Sequence, residues 1–233
     1  MTCINIAENF LIFHCCPSRN SLISMSLSDK HILVIAGPSA CGKSTLIREI
    51  LKDRRMANKI LSNLDLDCCL SLGKLNLQRL VDSKKLSKKS RKNKVEIVLI
   101  QFDILSRYRK ARALEFDEVV RSAKSVRLLI LYTPFQEWLK RMNRRSNYIS
   151  GARLSPLSAC KGFLSAGSKG FRPSYKAWSI VMASRFSKEL GEKMYKDEYI
   201  RWDDYWIQHS AVSRFYFDSC LGDFLATLPY FDQ

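Results

Sequence analysis

Short apolar runs alternate with amphipathic segments along most of this chain. The run at 32–35 is rich in β-branched residues and is closed by a glycine, which is typical of a strand buried on both faces of a parallel sheet. The segment from Thr45 to Asp53 follows it with apolar residues at helical spacing. Together they predict the first strand and helix of an α/β fold.

The same alternation continues towards the C-terminus. The pattern predicts further strands and helices, with strands at 60–66, 95–102, 128–132 and 215–218 and helices at 75–89, 114–122, 135–145 and 221–228. Strands separated by helices pair in parallel, through right-handed crossovers that place helices on both faces. The sequence therefore predicts a three-layer, doubly wound parallel sheet of about five strands.

Two regions fall outside this alternation. Residues 146–209 contain several glycines before two aromatic-rich helical stretches, and we interpret them as a lid-like insertion in a single domain spanning 25–233. Residues 1–24 are interpreted as an N-terminal extension, either disordered or not translated, because Met25 stands shortly before the first strand and the apolar run at 10–13 lacks the features of a signal peptide. A stripe of aromatic residues is predicted to form the core of this insertion and not a stacking platform for bases, namely Tyr199, Trp202, Tyr205 and Trp206.

The segment between the first strand and the first helix has the pattern of a phosphate-binding loop. Its glycines allow a tight turn with inward N–H groups, and the next helix presents its positive end to the same point. Lys43 is expected to reach the β- and γ-phosphates of ATP, with GTP as the alternative, and Ser44 to bind Mg²⁺. The predicted nucleotide-binding residues are Gly37, Pro38, Ser39, Ala40, Cys41, Gly42, Lys43, Ser44 and Thr45.

Four further residues are candidates for phosphoryl-transfer chemistry. Asp103 follows the strongest later strand, where a carboxylate can orient Mg²⁺. Asp65 ends the second predicted strand and is a candidate base for an acceptor hydroxyl. Arg141 and Arg145 share a helical face at i, i+4, from which they can stabilise charge on a transferring phosphoryl group.

The formal net charge of +17 favours anionic partners without choosing among them. The densest basic patch lies between Ser83 and Lys94, and it is either solvated surface or a contact for nucleic acid. The lysines that would make such a contact are Lys84, Lys85, Lys88 and Lys89.

The cysteines and the apolar runs bear on location. Eight cysteines occur without a CxxC pair or metal-ligand spacing, so we interpret them as free thiols of a reducing compartment. No stretch approaches the roughly 20 apolar residues of a membrane span. We therefore expect a cytoplasmic protein without a membrane association.

The loop resembles that of guanylate kinases and related nucleoside-phosphate kinases in two stretches, Gly37-Pro38-Ser39 and Gly42-Lys43-Ser44-Thr45. The order of later elements is also similar to the P-loop kinase plan. The resemblance implies a small ATP- and Mg²⁺-dependent kinase whose acceptor is anionic or bears a hydroxyl. The start of the loop is similar to that of tRNA dimethylallyltransferases as well. Two alternatives stay open: a nucleic-acid-binding or RNA-modifying P-loop protein that uses the basic patch, and a nucleotide-gated interaction module without turnover.

Overall fold

A central β-sheet is formed by strands spread along most of the chain. The computed structural model describes residues 28, 30–66, 72–75, 97–105, 109–150 and 175–230. The strands in these ranges are β1 (His31–Gly37), β2 (Leu72–Leu75), β3 (Ile97–Asp103), β4 (Ser125–Tyr132), β5 (Ser213–Asp218) and β6 (Asp223–Leu225).

Helices connect most of these strands. The described helices are α1 (Lys43–Lys52), α2 (Arg54–Asn63), α3 (Arg109–Ser122), α4 (Phe135–Ser150), α5 (Tyr175–Phe186) and α6 (Lys188–Ile207). Among them, none combines the length and the apolar character that a membrane crossing requires.

Most strands of the sheet are parallel, so their carboxyl ends lie along one edge. The sheet has the order β2-β3-β1-β4-β5-β6, in which the first five strands are parallel and β6 runs antiparallel to β5. In this register Gly37 of β1 lies opposite Asp103 of β3. The coarse α/β prediction is confirmed, and the described part of the chain supplies five parallel strands with a short antiparallel one at the edge.

Alternate residues of β1 enter two different cores, because successive side chains of a strand point to opposite faces. Ile32, Val34 and Ala36 pack in the cluster that includes residues of α3, α4, α5 and α6. Leu33 and Ile35 pack in the cluster that includes residues of α1 and α2. Helices therefore cover both faces of the sheet, giving the expected three layers.

An aromatic stripe on α6 fixes this helix to the sheet. Trp202 and Trp206 are buried, and the Trp202 Nε1–H donates to the Ile104 carbonyl at 2.8 Å. The Tyr199 hydroxyl donates to the Leu131 carbonyl of β4 at 2.7 Å. Burial of these rings was predicted, but they belong to the core of the central sheet and not to a separate core of the insertion, and Tyr205 is only half-buried.

This packing bears on the predicted insertion at 146–209. Its C-terminal part forms α5 and α6, and α6 supplies one outer layer of the fold. Residues 151–174 lie outside the described ranges, as do the extension at 1–24 and the basic patch at 83–94. A lid function for the insertion therefore stays a prediction.

Two predicted elements are wrong. The range 60–66 belongs mostly to α2, whose start is capped by the Asp53 carboxylate accepting from the Arg55 N–H at 2.8 Å, and which buries Ile60 and Leu61 on one side. Its apolar residues follow helical rather than strand spacing. The range 221–228 contains a turn and β6 instead of a helix, and Gly222 in that turn has a left-handed φ of 72°.

The segment that follows α2 also differs from the prediction. The structure places β2 at 72–75, where the sequence pattern predicted no strand, and pairs it with β3. The helix predicted at 75–89 falls outside the described residues except at Leu75, which is the last residue of β2.

We expect Trp202→Ala to destabilise the fold by about 3–5 kcal/mol, because it removes a fully buried ring and leaves the Ile104 carbonyl without this partner. Phe186→Ala is the matched control, since Phe186 is 85% exposed. Urea unfolding of the three proteins measures the difference. A loss below about 1 kcal/mol for Trp202→Ala would contradict the role given to this ring.

Candidate functional site

The loop between β1 and α1 leaves the sheet at its carboxyl edge in a conformation that depends on glycine. A Cβ added at Gly37 would lie 2.7 Å from the Cys41 Sγ and 3.0 Å from the Leu131 carbonyl, so only glycine fits there. Ala40 and Gly42 have positive φ angles of 69° and 105°. These left-handed residues turn the chain back so that α1 begins directly beside the end of β1.

The side chain of Lys43 folds back over this loop. It is only 4% exposed, and its ammonium donates to the carbonyls of Gly37 at 2.8 Å and Pro38 at 2.6 Å. Within the described part of the chain, no carboxylate forms an ion pair with it. A buried cation with neutral partners favours an anion nearby.

The start of α1 adds further positive potential at the same point. The first N–H groups of a helix have no acceptor within the helix, and the helix dipole makes this end positive. Gly42, at the N-cap, makes no side-chain cap. The loop, the helix start and the Lys43 ammonium therefore form a site suited to phosphate.

Residues at the start of α4 and just before it hold the loop from one side. The Trp138 Nε1–H donates to the Ser39 carbonyl at 2.7 Å. The Arg141 Nη1 and the Thr133 hydroxyl both donate to the Cys41 carbonyl, at 3.3 Å and 3.4 Å. Three side chains thus hold the loop in this conformation.

Residues of β3 contact the loop from the other side. The Ser39 hydroxyl donates to the Asp103 Oδ2 at 2.6 Å, and the Ser44 hydroxyl donates to the Gln101 Oε1 at 2.9 Å. The structure therefore brings Asp103 to the loop, as the sequence predicted. Gln101 was missed, although it lies two residues before Asp103 and therefore on the same face of the strand.

These side chains fit a magnesium ion in their chemistry. The oxygens of Ser44, Gln101 and Asp103 are the hard donors that Mg²⁺ prefers. In the described ranges, no group of three or more His, Cys, Asp and Glu residues is placed to hold a metal. Phosphate oxygens and water would therefore supply most of the coordination, which is common for Mg²⁺ at phosphate sites.

Arg141 is the predicted arginine that the structure brings to the loop. Besides its contact with the loop, its Nη1 lies 3.3 Å from the Ser219 hydroxyl and its Nε lies 3.3 Å from the Glu137 carboxylate. It thereby connects the loop to the turn that follows β5. Arg145 lies one helical turn further along α4, and its side chain is outside the described residues.

A cavity of about 420 Å³ opens beside the loop. Its walls come from the loop, from α1, α2 and α4, from the ends of β4 and β5, and from the turn after β5. Because these elements are distant in sequence, the apolar walls and the carboxylate of Glu49 were not predicted. The lining residues are Ala40, Gly42, Thr45, Leu46, Glu49, Met56, Leu131, Arg141, Arg144, Phe217, Ser219 and Gly222.

Asp65 does not follow a strand as predicted. It is exposed after the end of α2, with a φ of 53°. The carbonyl of the preceding Leu64 accepts from the Nε of Arg127, the third residue of β4, whereas the loop lies at the carboxyl edge of the sheet. No strand forms at 60–66. The predicted role of Asp65 as a base depended on that strand, so the structure gives no reason to place Asp65 at the site.

Comparison with known proteins gives no family assignment. No protein-family model matches the chain, and no curated protein is significantly similar to it.

Cys41 is a buried thiol inside the loop. Burial raises its pKa, although the Lys43 ammonium, 3.9 Å from the Sγ, acts in the opposite direction. The thiol therefore stays protonated at neutral pH, and the protonated form is a poor nucleophile.

We expect iodoacetamide to modify Cys41 roughly tenfold more slowly than the exposed Cys220 at pH 7.5, because Cys41 is inaccessible and its raised pKa limits thiolate formation. Peptide mapping by mass spectrometry measures both rates, and the same labelling in urea is the control. Equal rates in the native protein would show that the loop opens readily.

Proposed function

We propose that this chain is an ATP-dependent phosphotransferase of the P-loop class, which transfers the γ-phosphate to an anionic or hydroxyl-bearing acceptor. The observation that carries the proposal is the Lys43 ammonium, which is buried over the β1–α1 loop with carbonyl partners. Together with the start of α1, it concentrates positive charge at the carboxyl edge of the sheet, where α/β proteins bind ligands.

The adjoining cavity supports a nucleotide as the phosphate donor. Its volume of about 420 Å³ is in the range of small-molecule sites, and it borders Gly42 and Thr45 at the start of α1. Phosphates on the loop would place the nucleoside in this cavity, between Met56 and Phe217. ATP is the proposed donor, with GTP as the alternative.

The charged groups around the loop suit phosphoryl transfer. Phosphate oxygens are stronger acceptors for the Lys43 ammonium than the carbonyls of Gly37 and Pro38. Arg141 is close enough to the loop to stabilise negative charge that develops on the transferred group. Magnesium bound near Ser44, Gln101 and Asp103 would neutralise further phosphate charge.

We expect Lys43→Ala to lower ATP turnover by about a hundredfold or more, because it removes the cation nearest to the phosphates. Lys52→Ala is the matched control, since Lys52 is exposed at the other end of α1. The assay incubates γ-labelled ATP and Mg²⁺ with pools of metabolites or RNA and follows the label.

Unchanged turnover in Lys43→Ala would refute the proposal. Label on RNA would identify RNA as the hydroxyl-bearing acceptor, whereas RNA binding through the basic patch at 83–94 without transfer of label would favour the nucleic-acid-binding or RNA-modifying alternative. Nucleotide binding that depends on Lys43, without transfer to any acceptor or to water, would favour the interaction module.

We expect Asp103→Asn to raise the Mg²⁺ concentration needed for half-maximal ATP binding by roughly tenfold. Loss of a carboxylate that supports the metal ligands typically lowers the affinity for the metal by such a factor. Asparagine keeps an oxygen that can accept from the Ser39 hydroxyl. Asp204→Asn, at an exposed position of α6, controls for the change in net charge. Calorimetric titrations with ATP at several Mg²⁺ concentrations measure the shift, and an identical dependence in both variants would exclude Asp103 from the metal site.

A further inference from the structure

One carboxylate lines the cavity beside the loop. Among the described residues of its wall, Glu49 on α1 is the only acidic one, and the other charged residues there are Arg141 and Arg144. The Glu49 side chain has no hydrogen-bond or ion-pair partner in the described part of the chain. Its capacity to accept hydrogen bonds is therefore available to a ligand.

Glu49 is exposed, and its carboxylate is unfavourable for the phosphate part of a nucleotide because like charges repel. It is favourable for a part of the ligand that presents hydrogen-bond donors, since a bond to an ionised acceptor is stronger than one between neutral groups. A nucleotide carries such donors on its ribose and on the amino groups of its base.

The geometry of α1 selects between these two parts. Glu49 lies seven residues after Gly42, which corresponds to about 10 Å along the helix axis. Side chains of a helix tilt towards its N-terminus, so the carboxylate lies nearer to the loop than its Cα does. Thr45, at i−4 on the same helix face, lines the cavity between Glu49 and the loop.

The order along this face is therefore the loop, then a hydroxyl, then a carboxylate. In a nucleoside triphosphate the ribose directly follows the α-phosphate and the base lies beyond it. With the phosphates on the loop, the ribose is the donor-bearing part closest to the carboxylate of Glu49.

We infer that Glu49 is a specificity-determining residue, which accepts hydrogen bonds from the 2′- and 3′-hydroxyls of the donor nucleotide and selects ribonucleotides over dideoxyribonucleotides. The inference rests on the proposed nucleotide binding and adds to it the part of the ligand that this wall recognises. The apolar side chains of Met56 and Phe217 are then left to contact the base.

Calorimetric binding of ATP and 2′,3′-dideoxy-ATP, both with Mg²⁺, tests this inference. We expect the native protein to bind ATP roughly tenfold more tightly, which corresponds to one or two hydrogen bonds to a charged acceptor that is open to water. In Glu49→Ala the ratio should fall to about 1 through weaker ATP binding, and in Glu49→Gln, which keeps one oxygen acceptor, to about 3.

Glu118→Gln is the charge-matched control, because Glu118 lies on α3, on the opposite face of the sheet, and we expect it to keep the native ratio. An unchanged ratio in Glu49→Ala, or an equal loss of affinity for both nucleotides, would overturn the inference. If either result is found and Lys43→Ala still abolishes nucleotide binding, the role of Glu49 is wrong but the proposed nucleotide site at the loop stands. Binding of neither nucleotide by the native protein would overturn both proposals together.

Discussion

The parallel pairing of β1 with β3 and β4 is the constraint on which the candidate site depends. It sets Gly37 opposite Asp103 and starts the β1–α1 loop between the ends of two neighbouring strands. The backbone there approaches the Leu131 carbonyl of β4 so closely that a side chain at Gly37 would not fit. The strand ends on both sides of the loop supply some of its polar contacts. Asp103 contacts Ser39 from one side, and Thr133 contacts Cys41 from the other.

The loop contains a buried charge that its surroundings only partly compensate. The Lys43 ammonium has carbonyl partners, and hydrogen bonds of this kind reduce the cost of removing a cation from water without neutralising it. The residual charge favours an anionic ligand, and the contacts of Trp138 and Ser39 hold the loop in the conformation that would receive it. Preformed sites of this kind avoid an ordering cost when the ligand binds.

Local patterns in the sequence were sufficient where one element decides the structure. The apolar strand, the glycine-containing loop and the amphipathic α1 are adjacent in sequence, so their arrangement could be predicted, as could the position of Asp103 at the end of β3. The range 60–66 was misassigned because a short apolar segment fits a strand or one side of a helix equally well. The Asp53 cap and the burial of Ile60 and Leu61 show that the helix is formed.

The sequence by itself determined the α/β class, the glycine-containing loop before α1 with Lys43, and the aromatic stripe of α6, because each depends on the identity and spacing of neighbouring residues. Only the tertiary structure decided that Gln101 meets Ser44, that Arg141 contacts the loop and the turn after β5, and that Glu49 lines the same cavity as Phe217. These contacts join residues far apart in the chain. They follow from strand order and helix packing, which no single segment encodes.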